Sequence, residues 1–217
     1  MIVENIFDYT LIKIECEDEQ IYKNKTLTDS VNMVFTSPAV TNRVRQTIGD
    51  SHKGGGVTSV GQPYPLIDLP GTDRLREWLT EQFLSVKDIV GCAHKGNNVH
   101  FKRSWSNRII QGAYGSVHQH VKIDNYISHM SGYSEENFCP DAVGILYVNV
   151  PPDSSNLVLV KDGEADTPVE IYPRDRTYWI EPHAGLFLIH SPHVWHGVST
   201  HNSEMPRDVF VFDIDYV

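Results

Sequence analysis

Two short apolar runs, Leu186-Phe-Leu-Ile189 and Val209-Phe-Val-Phe212, constrain the fold more than anything else in this 217-residue chain. Each is too short for a helix and has the length of a strand buried on both faces. Ala184-Gly185 precedes the first as a turn. Gly144 to Val150 reads as a further strand, and Trp105 to Ile123 reads as two extended runs, with Gly112 and Gly115 marking a bend between them. Near the N-terminus, Phe7 to Glu17 alternates as an opening strand. A chain of this length is most simply one domain, as all-β sandwiches and barrels of this size commonly are.

One helix stands out. Thr72 or Asp73 can cap it, Leu75, Leu79, Phe83, Val86 and Val90 follow one face, and Gly91 can stop it. Its apolar stripe implies packing against the outside of a sheet. Residues 50 to 71, rich in glycine and proline, read as a loop, and no Gly-Lys-Ser/Thr follows to make them a phosphate cradle. Asn125 to Asp141 is longer than a hairpin connection needs and reads as a lid beside a site, and Lys161 to Arg176 reads as a polar hairpin with an irregular continuation.

The chemistry-bearing residues cluster on these strands. His118 and His120 are two apart, so on a strand both imidazoles point the same way and can converge on one ion. Two half-exposed surface histidines are the alternative. A second group, His190, His193 and His196, crowds the segment after Ile189; it is either a polar loop or the source of one histidine, beside Trp195 and Gly197, that can complete a three-ligand site with open positions. Arg207 lies eleven residues after His196 and opens the final strand. A hairpin return would bring its guanidinium beside the histidine as a fork of donors for a carboxylate. A surface pairing with Asp208 or Glu204 is its alternative.

The order Ser104-Trp105-Ser-Asn107, His118-x-His120, Gly144-Ile-Leu-Tyr147-Val-Asn-Val-Pro151, Pro182-x-Ala-Gly185, Leu186-Phe-Leu-Ile189, His196-Gly-Val198 and Arg207 resembles the small stand-alone 2-oxoglutarate and iron(II)-dependent oxygenases of bacteria and phages. The resemblance covers residues 100 to 217 and extends weakly to Gly55-Gly-Val-Thr-Ser59. It implies a double-stranded β-helix, the cupin-like jelly-roll, with one or more supporting helices. Residues 1–99 would supply an N-terminal strand, a loop and the helix, and residues 100–217 the core with the metal site. It further implies that His118 and His196 ligate iron(II), that Arg207 binds the far carboxylate of 2-oxoglutarate, and that Tyr147 adds a hydroxyl to that pocket. Dioxygen and an unidentified small-molecule or peptide substrate would complete the reaction, a hydroxylation.

The chain departs from the family at position 120. The usual triad has a carboxylate two residues after the first histidine, and here His120 stands there. Three outcomes follow: a three-histidine site, a site completed by Asp124, or loss of the metal. Asp124 would lie about 20 Å from His118 along an unbroken strand, which favours His120. A cupin-like metalloenzyme that uses three histidines without 2-oxoglutarate, and a noncatalytic jelly-roll, are the competing classes. Trp105, Trp195, Phe187 and Phe210 are either pocket walls or core.

The 28 acidic and 18 basic residues give a net charge of −10, which argues against nonspecific binding to nucleic acid or anionic membrane. Three widely spaced cysteines, no basic and apolar leader and no membrane-length apolar run lead to an expectation of a reducing cytoplasm.

Overall fold

The computed structural model describes residues 1–37, 52–53, 57–59, 65–121 and 138–217. Twelve strands and two α-helices are present among them: β1 (Ile2–Ile6), β2 (Tyr9–Glu15), α1 (Lys25–Thr36), β3 (His52–Lys53), β4 (Val57–Thr58), α2 (Asp73–Val86), β5 (Val99–Ile109), β6 (Tyr114–His118), β7 (Ala142–Asn149), β8 (Leu157–Val160), β9 (Thr177–Ile180), β10 (Leu186–His190), β11 (His196–Val198) and β12 (Arg207–Tyr216). They form two antiparallel sheets. The major one runs β1-β2-β10-β7-β12-β5-β4 and the minor one β3-β6-β11-β8-β9. The architecture is the mainly β, double-stranded β-helix with supporting helices.

Alternation along the major strands builds two cores at once. Leu11, Val143, Ile145, Tyr147, Leu188, Val209 and Val211 face inward and meet Leu157, Leu159 and Ile180 of the minor sheet. The intervening residues Ile12, Ile14, Leu146, Phe187, Ile189, Phe210 and Phe212 face outward, where both helices cover them. Leu186 to Ile189 is wholly buried because each of its faces has a partner layer. Phe187 and Phe210 therefore belong to the outer core, whereas Trp105 alone of the four singled-out aromatics lies beside the histidines. Trp195 packs on the valine patch of the minor sheet's other face.

Helix α2 lays Leu75, Leu79, Phe83 and Val86 on the outer face, as its stripe implies. It ends at Val86, so Val90 lies outside it, and Gly91 follows a looser turn with φ +83°. Thr72 holds the N-cap position, and its carbonyl accepts from Arg76 N at 2.7 Å, but its side chain makes no capping hydrogen bond. Its hydroxyl donates instead to the carbonyls of Ile67 and Leu69, at 2.7 Å each. Close packing of α2 depends on Gly144, where a Cβ would fall 2.7 Å from Phe83 Cζ and 2.8 Å from Phe187 Cε2.

Several elements differ from the sequence reading. Helix α1, capped by Asn24, whose side chain accepts from Leu27 N at 3.0 Å, was not expected. β1 hairpins onto β2 through Phe7-Asp8, with Phe7 at φ 56°. Gly112 sits in the β5–β6 turn at φ +80°, but Gly115 lies within β6. The described parts of the 50–71 loop include β3 and β4, which pair with β6 and β5. Gly55, Asp124 and the proposed lid residues 125–137 lie outside the described residues.

Candidate metal and anion site

His118 and His196 are direct cross-strand partners on β6 and β11. His120 lies two residues beyond the end of β6, and its ring still joins them. Ring centroids are 4.4 Å apart for His118 and His196, 5.4 Å for His118 and His120, and 5.1 Å for His120 and His196. One ring nitrogen from each lies within 4.8 Å of the others, a spacing that one metal ion can bridge.

The tautomers are set by local backbone. His118 Nδ1 donates to Ser116 O at 2.8 Å and His196 Nδ1 to Val194 O at 3.0 Å. A carbonyl oxygen only accepts, so Nδ1 carries the proton and Nε2 the lone pair in each neutral ring. Burial, reinforced by the neighbouring His118, His190 and His120, holds the His196 pKa well below its ordinary value, so this ring is neutral at pH 7. His120 Nδ1 donates to Asp213 Oδ1 at 2.6 Å. Trp105 stacks on the His120 ring, with centroids 5.7 Å apart.

Sequence reasoning missed Asp213 and Arg103, and placed His190 in a histidine-rich segment without a role. Sheet register explains their gathering: His190 on β10, Val143 on β7, Asp213 on β12 and Arg103 on β5 form one row across the inner face. Asp213 is fully buried and clasped by Arg103, whose Nε donates to Oδ2 at 2.7 Å. Burial opposes its ionisation, but Arg103 and His120 outweigh burial and keep its pKa below the usual carboxylate range. His190 is also fully buried, donates from Nδ1 to Ser191 O at 2.8 Å, and has no partner for Nε2 among the described residues. Burial lowers its pKa to about 4. The signal for Asp213 was available: it shares the parity of Arg207, Val209 and Val211, so an inward-facing acid interrupts an apolar run.

The second part of the site lies farther along the same inner face. Arg207 opens β12 and is 2 % exposed, with its guanidinium 5.5 Å from the centre of the Tyr147 ring. No hairpin brings it there. β11 and β12 belong to different sheets, and Arg207 reaches the interior by crossing to the opposite wall. Its Nη1 donates to Ser155 O at 2.7 Å, while Ser155 N donates to the buried His201 at 3.2 Å. Asp208, a sequence-level alternative partner, pairs with Arg108. Three polar atoms here are buried without a hydrogen-bond partner among the described residues: Arg207 Nε, the Tyr147 hydroxyl and Asn107 Oδ1. Desolvation disfavours the Arg207 charge and the ionised phenol alike. Two of these, Arg207 Nε and the Tyr147 hydroxyl, are buried donors that fit a carboxylate, whereas Asn107 Oδ1 only accepts.

No protein-family model and no curated protein matches the sequence. Solved structures do match, and they define the class to which the fold belongs. The viral collagen prolyl hydroxylase of Paramecium Bursaria Chlorella virus-1, solved as a 2OG complex, is 13% identical and aligns over 95% of this chain and 96% of its own, with a TM-score of 0.53. A Pseudomonas putida prolyl-4-hydroxylase is 13% identical over 95% of this chain and 92% of its own, with a TM-score of 0.50. HygX from Streptomyces hygroscopicus, solved with nickel, 2-oxoglutarate and hygromycin B bound, is 14% identical over 90% of this chain and 88% of its own, with a TM-score of 0.50. The chain has the double-stranded β-helix fold of these enzymes.

Proposed function

We propose that this chain is a 2-oxoglutarate and iron(II)-dependent oxygenase that hydroxylates a small-molecule or peptide substrate. The observation that carries the reading is the pairing of two complementary sites inside one barrel: three imidazoles around one point, and a buried arginine with unsatisfied donors on the same inner face. His118, His120 and His196 would hold iron through Nε2. Three neutral nitrogens suit a divalent first-row metal and leave positions for other ligands. Bound iron, with 2-oxoglutarate and dioxygen, supplies the oxidation: one oxygen atom enters the substrate C–H bond as hydroxyl, the other enters succinate, and carbon dioxide leaves.

The chain's own residues bind and orient. Arg207 offers charge-assisted hydrogen bonds to the far carboxylate of the cosubstrate, and Tyr147 adds a hydroxyl donor. Ser155 holds the guanidinium in place, and His201 holds Ser155. Val209, Val211, Leu157 and Leu159 keep the space between the sheets apolar, which strengthens each of these polar contacts.

The absence of a carboxylate at position 120 favours one further reading, a three-histidine metalloenzyme in which Arg207 clamps the carboxylate of the substrate itself. Anaerobic addition of iron(II) and 2-oxoglutarate separates the two. The oxygenase is expected to develop the weak visible charge-transfer band of the chelate. Iron bound without that band would transfer support to the second reading, and no iron bound would leave a noncatalytic jelly-roll.

A further inference from the structure

We infer that Asp213 is the positioning residue that lets a histidine stand at position 120, supplying from behind the ring the negative charge that a direct carboxylate ligand would bring. The inference rests on the proposed metal site and adds to it. Asp213 has 0 % exposure, and its Oδ1 accepts the Nδ1–H of His120 at 2.6 Å, shorter than the Nδ1 contacts of His118 and His196 with their carbonyls. Its other oxygen is fixed by Arg103, so neither oxygen can rotate away without breaking a buried contact.

Two consequences follow from that geometry. The proton is held on Nδ1, which leaves Nε2 as the lone-pair nitrogen turned toward His118 and His196, and the carboxylate raises the electron-donating power of the ring. His118 and His196 donate from Nδ1 to neutral backbone carbonyls. His120 is also the one ring of the three that lies outside a strand, beyond the end of β6, so sheet register does not orient it. Its orientation comes from Asp213 on the opposite sheet and from the stacked Trp105. The residue that most needs a second anchor is the one that has a buried carboxylate.

A double-mutant cycle tests this with cobalt(II) as the probe, bound anaerobically and followed by chelator competition and by its visible ligand-field spectrum. Asp213→Asn is expected to weaken cobalt(II) binding about 10- to 100-fold, the usual effect of removing such an outer partner, and to shift the ligand-field bands. Placing a carboxylate directly at the site by His120→Asp removes the need for Asp213. In that background Asp213→Asn is expected to cost less than about 3-fold or to improve binding, because two buried acids no longer share one end of the pocket. Equal losses in the two backgrounds would show that Asp213 merely supports the fold through Arg103, and would overturn the inference. Unchanged affinity and spectrum in Asp213→Asn would overturn it as well. Failure of the unmodified protein to bind cobalt(II) would instead remove the metal site and this inference with it. Circular dichroism on each variant, with Asp213→Leu as an apolar alternative, separates loss of binding from loss of fold.

Discussion

Arg207→Met is the most informative single substitution because it separates what the guanidinium costs the empty protein from what it contributes to ligand binding. The side chain is 2 % exposed, its Nη1 has one carbonyl partner, and its Nε has no partner among the described residues. Replacing a buried charge by an apolar chain of similar volume is commonly neutral or stabilising by about 1–4 kcal/mol. Stranding the Ser155 carbonyl returns about 1–3 kcal/mol of that. The net lies between about 3 kcal/mol less and about 3 kcal/mol more stable for the ligand-free protein, or a melting temperature within about 12 °C of the parent at roughly 2–4 °C per kcal/mol for a chain of this size. In the unmodified protein, 2-oxoglutarate at about 100 times its Kd adds about 2.7 kcal/mol, roughly 5–11 °C. The variant loses about 2–5 kcal/mol of binding, since truncating one partner of a desolvated charge pair strands the other, and the shift should fall to about 0.9 kcal/mol or less. Thermal unfolding of the nickel-loaded protein, with and without 2-oxoglutarate and without oxygen, reads both effects. A variant that keeps the full ligand shift, whatever its own melting temperature, would refute the assignment of Arg207 to an anion pocket.

Other expectations concern the histidines and the sheet. His196→Ala should abolish iron binding in chelator competition while leaving the far-ultraviolet circular dichroism of the metal-free protein unchanged, since the variant removes a buried ring and not a strand pairing. For His190 the folded pKa is about 4, below the ordinary 6.5, so the unfolded chain binds the proton more readily. Its contribution is present above pH 6.5 and lost as the pH falls from 6.5 toward 4, on the order of 3 kcal/mol at full effect. Urea unfolding of parent and His190→Phe at pH 7 and pH 5 checks this, and the phenylalanine variant should lose less stability over that interval. Gly144→Ala should cost about 1–3 kcal/mol, because its Cβ meets two aromatic rings, and a denaturation midpoint unchanged from the parent would show that α2 can move away freely.

The strands that carry the site were legible because their patterns are local. Leu186 to Ile189 announces burial on both faces, and the parity of His118 and His120 survives even though β6 ends before His120. Arg207 was placed at the right end of the right strand, but the hairpin invoked to bring it inward does not exist, because the choice of sheet for β11 and β12 is a long-range matter. Asp213 escaped notice for the same reason. It is 93 residues from His120, and nothing in the intervening sequence records that β12 faces the end of β6. Helix α1 did carry a local signal, the Asn24 cap followed by Leu27, Val31, Val34 and Phe35 on one face, whereas the short strand β1 draws its order from pairing with β2.

The cross-strand pairing of His118 with His196 has a mechanical consequence. Those two rings belong to the minor sheet, whereas His120 is tied by its hydrogen bond to a strand of the major one. An ion held by all three would act as a rivet between the two walls of the barrel, beyond the end of β6. Loading the metal would then stiffen both walls at once, and amide exchange at β11 and around Asp213 of β12 would slow together although the two strands lie in different sheets.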